Sequence, residues 1–313
     1  MSIRPYFALA HIASQICHRY LSVNVPRSLC SQEGDSNTGI ERWTRQEWYD
    51  FIYKEIHKPS GLVPGLSRYF ALYDQEGLIL LDKIHNHLRW CESESATYKL
   101  LCDPLYPGLL KEIPQPPLGL TILGDSFLLF KPKVSVIGSR RTADVVIHES
   151  YRLGYLLAKI GITVVSGGAF GCDIATHMGV VSYGKTPVPA VVIFANGLKQ
   201  LFPRSNQEKF DRIRQGGGAL VSERLWDQTP TPYDFPIRNR IISGLSMWTV
   251  VMGATRTSGA MITARLALDQ GREVIVYFPD KEKYYCEGAQ ILVDDGARYF
   301  TSSEDLCSQI LKV

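Results

Sequence analysis

The chain has 313 residues, of which 45% are hydrophobic and 21% charged, with a formal net charge of +3 at pH 7. These values are ordinary for a globular protein, and no apolar run approaches the roughly 18 residues of a membrane span. The seven cysteines are odd in number and form no Cys-x-x-Cys pair, which argues against a zinc site or a disulfide framework. We therefore expect reduced thiols, a cytoplasmic location, no membrane span and no metal.

Residues 1–95 are rich in aromatic, His and Cys residues and are predicted to form a small helical domain. Their apolar spacing predicts short helices over 7–20, 44–57 and 75–91. Polar side chains interrupt the N-terminal apolar run early, so we expect no signal peptide. Prolines recur through the next segment and oppose helix, so residues 96–132 are predicted to be an extended linker and lead-in to a core at 133–313.

The core alternates short apolar strands with amphipathic helices. Strands that are β-branched and apolar throughout are typical of a parallel sheet covered on both faces. This rhythm predicts an α/β fold with a doubly wound, mostly parallel sheet. The predicted strands are 134–137, 163–165, 190–194, 219–221, 248–251 and 273–277. Apolar stripes predict helices between them, including one that ends at Gly271 and a last one over 304–311.

Loops of Gly, Ser, Thr and Arg follow several of these strands. Parallel strands place their carboxyl ends at one edge of the sheet, so the loops should converge there. Exposed N–H groups at helix N-termini bind phosphate, and Arg adds bidentate recognition. Each loop alone is equally compatible with a tight turn whose arginines are solvated. The candidate phosphate-binding residues are Gly138, Ser139, Arg140, Arg141, Thr142, Ser166, Gly167, Gly168, Gly171, Arg204, Arg238, Asn239, Arg240, Ser258 and Gly259.

Two local patterns have a functional and an ordinary interpretation. Asp173 and His177 are one helical turn apart, which suits a catalytic pair; a helix N-cap beside a partly buried His is the better-supported interpretation. Arg238 and Arg240 are predicted near the start of a helix, where cations oppose the helix dipole. Bound phosphate would remove that conflict, which favours a binding role.

The motifs, in this order and spacing, resemble the DNA-processing protein A family (DprA, also called Smf). The resemblance covers about 103–307. The matching stretches are Val-Ile-Gly-Ser-Arg at 136–140, Val-Val-Ser-Gly-Gly-Ala-Phe-Gly-Cys-Asp at 164–173 with His177, Phe-Pro-Arg-Ser-Asn at 202–206, Phe-Pro-Ile-Arg-Asn-Arg at 235–240, Thr-Ser-Gly-Ala-Met-Ile-Thr at 257–263 and Asp-Asp-Gly-Ala at 294–297.

The resemblance implies an extended Rossmann-like core that binds single-stranded DNA and is not an enzyme. It implies a protein that protects single strands during natural transformation and recombination and helps to load the RecA recombinase. It also implies a homodimer and no cofactor.

The chain departs from the family pattern at several positions. Phe170 and Cys172 interrupt a run in which the family usually has Arg, so phosphate attraction should weaken there, and Phe170 either stacks on a base or packs in the core. Gly253 and Ala254 replace a usual Glu-Ala. Phe278-Pro279-Asp280 replaces a usual Val-Pro-Gly, and we expect no C-terminal winged-helix domain.

Two other functions remain open from sequence. The first is a nucleotide sensor or a phosphoribohydrolase-like enzyme on a related core, for which Asp173 or Glu223 would supply the carboxylate. The second is a protein that still binds a partner such as RecA but no longer binds DNA. Neither explains four phosphate-competent loops at one edge as directly as single-stranded DNA does.

Overall fold

The computed structural model describes residues 76–101, 103–279 and 286–311. The helices predicted over 7–20 and 44–57 lie outside these residues. The described residues fall into two compact units. The first contains 76–106, 117–121 and 223–226, and the second contains 107–116, 122–222 and the described residues from 227 onward.

The described part of the first unit starts with helix α1 (Glu76–Ser93), as the spacing predicted, and continues into strand β1 (Thr97–Leu100). Its interior is built around His87, which is fully buried. The His87 ring packs edge-on against Tyr98 at 5.1 Å between centroids and lies 5.8 Å from the Trp226 ring. Thr121 Oγ1 is 3.2 Å from His87 Nε2, so a buried polar ring has a hydrogen-bonding partner.

Residues 96–132 are not an extended linker, which corrects the sequence prediction. They contain β1, a one-turn helix α2 (Gly108–Lys111), strand β2 (Gly119–Gly124) and a 3-10 helix (Ser126–Phe130). The prolines lie between or beside these elements rather than inside the strands, so they do not oppose strand formation. β2 is almost wholly buried.

The second unit is a mostly parallel sheet with helices on its faces, and all six predicted strands are confirmed. Its order is β2-β6-β5-β4-β3-β7-β8-β9, with β2 contributing only its last residues to this unit. The strands from β3 onward are β3 (Lys133–Ile137), β4 (Thr163–Ser166), β5 (Ala190–Phe194), β6 (Ala219–Ser222), β7 (Trp248–Val251), β8 (Glu273–Tyr277) and β9 (Arg298–Phe300). The short edge strand β9 was missed from sequence because its first two residues are exposed.

Besides α2, the second unit contains helices that each follow a strand of its sheet. They are α3 (Asp144–Lys159), α4 (Cys172–Ser182), α5 (Gln207–Gln215), α6 (Asp234–Gly244), α7 (Gly259–Asp269), α8 (Glu287–Asp294) and α9 (Ser303–Ile310). Gly271 follows α7 with φ +69°, the left-handed conformation expected just after a helix end. No described helix has the length and hydropathy needed to span a membrane.

The strand order places a crevice at the centre of the sheet. The chain runs outward from β3 through β4, β5 and β6, then returns to pair β7 with the other side of β3. β3 and β7 are parallel neighbours whose following loops leave in different directions. In open α/β sheets, ligands bind at such a switch point, outside the carboxyl ends of the strands.

Candidate nucleic-acid interface

A groove of about 800 Å³ opens at this switch point. Four segments line it: the end of β3 with its loop, the loop after β4, the segment from Pro232 into α6, and the loop after β7 with the start of α7. Its lining includes the predicted residues Gly138, Ser139, Arg140, Arg141, Arg238, Asn239, Ser258 and Gly259. The convergence expected from parallel strands therefore brings eight of the candidates to one surface.

The loop after β3 carries the exposed charge of the groove. Arg140 and Arg141 are both exposed, and the Arg140 guanidinium lies 5.4 Å from the centre of the Phe235 ring. The hydroxyl of Ser139 is used to shape the loop, since its Oγ donates to Arg141 O at 2.6 Å. The cation–π contact between Arg140 and Phe235 positions the Arg140 guanidinium at the groove.

The loop after β4 is pressed against the loop after β3. Gly171 has φ +79°, and a Cβ there would lie 2.3 Å from Ser139 O, so glycine is required by both conformation and space. A Cβ at Gly138 would lie 2.5 Å from the Cys172 Cβ. Burial raises the pKa of the Cys172 thiol to about 12, so this cysteine acts as an apolar packing residue.

Arg238 stabilises the loop after β4 through hydrogen bonds from its guanidinium. It is only 7% exposed, and its Nη1 donates to Gly167 O at 3.1 Å and also to Ile193 O at the end of β5. Its Nε donates to Asn239 Oδ1 at 3.2 Å. Arg238 therefore lines the groove while most of its hydrogen bonds hold strand ends together.

Asp173 is the charge opposite Arg238. A Cβ at Gly167 would lie 2.8 Å from Arg238 Nη2 and 2.9 Å from Asp173 Oδ2, so the two charged groups meet beside this glycine. Burial raises the pKa of Asp173 to about 6, and Arg238 opposes that rise. Burial also lowers the pKa of Arg238 to about 10, so Arg238 stays charged at neutral pH.

The structure corrects two sequence interpretations. Asp173 is not the N-cap of α4, because Gly171 holds that position and Asp173 Oδ2 accepts from Ala169 N at 3.4 Å. His177 is fully buried and neither of its ring nitrogens has a hydrogen-bond partner among the described residues. Burial lowers the pKa of His177 to about 3, so it is a neutral core residue and forms no pair with Asp173.

The helix-dipole argument for Arg238 and Arg240 was also wrong. Helix α6 begins at Asp234, so Arg238 is its fifth residue and Arg240 its seventh. Neither side chain is in the first turn, and the acidic Asp234 is. Arg240 is buried, and its Nη1 donates to Ile237 O at 3.2 Å.

The other predicted residues lie outside the groove lining. Gly167 borders a smaller adjoining cavity, and Ser166 and Gly168 are buried behind the loop. Arg204 is exposed and its Nη2 donates to Gln200 Oε1 at 3.1 Å. Thr142, Gly171, Arg204 and Arg240 are absent from the residues that line the groove among the described ones. The DNA contacts of all fifteen residues remain predictions.

Sequence reasoning missed several residues that line the groove. These are mainly apolar or small: Pro232, Phe235, Thr255, Ile262 and Thr263. Phe235 precedes the Pro-Ile-Arg-Asn-Arg stretch and had the strongest available signal, because an aromatic residue beside a basic cluster is typical of nucleic-acid surfaces. The others become neighbours only through the return of the chain to β7.

Comparison with known proteins agrees with this architecture. The family model for DNA recombination-mediator protein A matches residues 97–311. Protein Smf of Escherichia coli is 31% identical over 293 residues, which cover 90% of this chain and 73% of that protein. The DNA processing protein DprA of Bacillus subtilis is 33% identical over 207 residues, covering 66% of this chain and 68% of that one.

Two solved structures share the fold. DNA processing protein A from Streptococcus pneumoniae superposes with a TM-score of 0.65 at 26% identity, covering 86% of this chain and 94% of that one. The Helicobacter pylori protein, described by its single-stranded DNA binding mode, superposes with a TM-score of 0.62 at 28% identity, covering 69% and 96%. The chain therefore belongs to the DNA-processing protein A family, also known as Smf and as DNA recombination-mediator protein A.

Proposed function

We propose that the chain binds single-stranded DNA through the groove at the β3–β7 switch point and acts in DNA recombination without catalysing a reaction. The observation that carries this proposal is the pair of exposed arginines, Arg140 and Arg141, on a glycine-fixed loop that borders a long groove. Arginines on such a surface attract the phosphates of a strand whatever its base sequence. Their binding releases the counterions that were condensed on those phosphates. The Helicobacter pylori relative is described as binding single-stranded DNA.

The site is an open groove, which can bind a polynucleotide strand, whereas a site for a single nucleotide is typically a closed pocket. It is lined by apolar Ile137, Ile262 and Phe235 as well as by the arginines. A single strand offers both phosphates and unstacked bases, and proteins bind it by combining a positive groove with aromatic faces. A duplex hides its bases, so only the phosphate contribution remains.

The test is a salt titration of binding by fluorescence anisotropy, with a labelled oligothymidylate and a duplex of equal length. We expect the single strand to bind more tightly and its log K to fall linearly with log salt. Binding that does not change with salt, or that favours the duplex, would refute the proposal.

A nucleotide-handling function is the second candidate, and one observation favours it. Asp173 lines the groove as a buried carboxylate whose pKa is raised to about 6 by burial, which is the condition expected of a general acid or base. Its neighbour Arg238 gives it an alternative, structural role. Thermal stabilisation by nucleoside monophosphates but not by oligonucleotides would favour this candidate over DNA binding.

The remaining parts of the proposal concern partners and setting. We infer that the protein protects single strands, helps RecA to assemble on them and works as a homodimer in the cytoplasm. The four described cysteines are unpaired by disulfides, which suits a reducing compartment. Sedimentation velocity tests the dimer, and RecA filament assembly on protein-coated single strands tests the loading step. A protein that sediments as a monomer would refute the homodimer. RecA filament assembly that is no faster in its presence would refute the loading step.

A further inference from the structure

The edge of the sheet opposite the groove carries a concentration of positive charge. In the second unit, β6, β5, β4 and β3 are parallel neighbours, so their amino ends lie together. We define the amino-edge surface as the four segments that lead into these strands, which are 125–133, 158–162, 183–189 and 211–218. They contain two carboxylates and six cations, which are Lys131, Lys133, Lys159, Lys185, Arg212 and Arg214.

Backbone contacts hold the four segments side by side. The N–H that begins β4 donates to Pro132 O at 2.9 Å, and Val188 N donates to Gly216 O at 2.8 Å. A Cβ at Gly124 would overlap Gly218 O, so the start of the 3-10 helix is pressed against the segment before β6. Neighbouring strands are about 4.8 Å apart, so the four amino ends span about 14 Å. The six cations therefore belong to one surface.

Most of this charge is open to a ligand. Both carboxylates are already hydrogen-bonded, since Asp125 Oδ1 accepts from Phe127 N at 2.9 Å and Asp211 Oδ1 accepts from Gln207 Nε2 at 3.0 Å. Burial lowers the pKa of Lys133, and a phosphate beside it would stabilise its charged form. Four cations are exposed and form no ion pair with a residue that the structure describes: Lys131, Lys159, Lys185 and Arg212.

Helix ends account for only part of this charge. Cations in the last turn of a helix stabilise it, and three of the six lie in the last turns of α3 and α5. The other three, Lys131, Lys133 and Lys185, lie outside those turns and have no such role. The edge is also mixed in sign beyond β7, where Arg298 pairs with Glu273 at 2.8 Å. The excess of cations is therefore particular to the β3–β6 half.

Two exposed aromatic side chains lie beside these cations. The 3-10 helix Ser126–Phe130 has three residues per turn, so Phe127 and Phe130 share one face. They are 67% and 43% exposed, whereas Leu128 and Leu129 between them are buried. Proteins bind single strands by combining cations for the phosphates with aromatic faces for the unstacked bases. A duplex has no free base to place on these rings.

We propose that the amino-edge surface binds a second segment of single-stranded DNA, with phosphates beside its cations and a base on Phe127 or Phe130. This site goes beyond the proposed function, because it lies at the opposite edge of the sheet from the groove and shares no residue with it. One protomer then holds two short strands, or two parts of one long strand, at the same time.

The experiment counts strands by calorimetric titration with an oligothymidylate of about six nucleotides, a length within the site sizes of single-strand binding folds. We expect two strands per protomer. The triple variant Lys131→Gln, Lys185→Gln, Arg212→Gln should weaken the second site about ten- to a hundred-fold and lower its slope of log K against log salt by about two, at about 0.7 per phosphate. Affinity at the groove should not change.

Two further measurements test the aromatic contact. Phe127→Ala should weaken the second site roughly 5- to 100-fold, as for the loss of one stacked base, without changing its salt slope. A strand that carries 5-iododeoxyuridine should cross-link to Phe127 or Phe130 on irradiation, and peptide mass spectrometry identifies the linked residue.

A matched variant controls for net charge. Arg152→Gln, Arg265→Gln, Arg298→Gln removes three exposed cations that lie outside the amino-edge surface and outside the groove lining. It should bind two strands, as the wild type does. Equal weakening by the two triple variants would overturn the proposal in favour of a diffuse charge effect. The melting temperature shows whether each variant is folded.

The outcomes separate this surface from the groove. A single strand per protomer that is weakened by Arg140→Ala and not by the amino-edge triple variant would overturn the second site and leave the groove standing. The reverse pattern would support the amino-edge surface and refute the groove. If the triple variant does not fold, the wild-type cross-links decide, and links confined to groove residues would overturn the proposal.

Two other ligands of the same charge are tested in parallel. The amino-edge surface would be a duplex site if a duplex of equal length bound it more tightly than the single strand. It would be a membrane site if the triple variant lost binding to phosphatidylserine vesicles and kept both strands. Either result would overturn the assignment to single-stranded DNA.

Discussion

The loops at 138–142 and 166–173 end neighbouring strands of one sheet, yet they present their polar groups in opposite ways. The first loop exposes two arginines above the groove. In the second loop, the backbone carbonyl of Gly167 accepts from the buried Arg238, and the Asp173 carboxylate lies beside the same glycine. The two arginines that line this groove therefore differ in role. Arg140 is exposed and available to bind a ligand, whereas Arg238 is buried and stabilises the loop that forms the surface.

The largest effect is expected from Arg238→Ala. Removing this guanidinium leaves Asp173 as a buried carboxylate beside Gly167 and leaves the Gly167 and Ile193 carbonyls without their donor. Breaking a buried charged pair from one side destabilises by about 3–5 kcal/mol. Urea denaturation at pH 7.5 and pH 5.5 measures the free energy of unfolding. The loss should be smaller at pH 5.5, where Asp173 takes up a proton.

A double variant sharpens that result. Asp173→Asn in the Arg238→Ala background removes the stranded charge and should recover part of the lost stability. A loss from Arg238→Ala within about 0.5 kcal/mol, as for an ordinary surface position, would show that Arg238 is not structural.

Asp173 should make both stability and binding depend on pH. Burial raises its folded pKa to about 6, above the 3.8 of an unperturbed Asp, so the folded state holds the proton more tightly than the unfolded state. Its contribution to stability is therefore complete below about pH 4 and is lost as pH rises through 6. Protonation also removes a negative charge beside Arg238, so binding of single strands should tighten about three- to ten-fold from pH 7.5 to 5.5.

Asp173→Asn is the matched control for this pH dependence. It should bind at pH 7.5 as the wild type does at pH 5.5, and its affinity should change less between these two pH values than that of the wild type, because the titrating carboxyl is gone. Anisotropy titrations at fixed ionic strength provide the measurement. A variant that keeps the wild-type pH profile would assign the dependence to another group.

Most of the fold was predictable because buried parallel strands have a simple signal. Six apolar runs gave six strands, and parallel geometry then required their loops to converge. β1 and β2 were not predicted, because the prolines of residues 96–132 indicated an absence of regular structure. These prolines lie beside the two strands and not within them. The start of α6 was predicted near Arg238 and Arg240, whereas the helix begins at Asp234.

The site was less predictable because burial decides what a charged residue does. Arg140 and Arg238 have the same side chain, and both lie in short motifs that follow predicted strands, so the sequence alone assigned them one role. Only the return of the chain from β6 to β7 puts Arg238 under the second loop, among backbone carbonyls. Likewise, Phe235 and Ile262 join the groove through contacts between elements that are distant in sequence.

Arg140→Ala should separate binding from stability. Its side chain is exposed, so the free energy of unfolding should change by less than about 0.5 kcal/mol. Loss of one phosphate contact should reduce the slope of log K against log salt by about one and weaken binding about equally for all sequences. Arg152→Ala is the control, because Arg152 is an exposed α3 arginine paired with Glu304 at 2.5 Å and lies outside the groove lining. An equal fall in slope for Arg152→Ala would show only a diffuse charge effect.

The smallest effect is expected from Arg204→Ala. Arg204 was predicted as a DNA contact from its charge and position, but it lies outside the groove lining. It is the first residue of the 3-10 helix at Arg204–Asn206, and its side chain donates a hydrogen bond to Gln200, which precedes that helix. It follows Phe202 and Pro203, which border the smaller cavity beside the groove, so a strand that extends beyond the groove on this side would pass near it. We expect binding to a strand that fills the groove alone to change less than two-fold, while a longer strand loses up to about one unit of salt slope. A length series of oligothymidylates checks this, and an equal effect at every length would place Arg204 beside Arg140 as a groove contact.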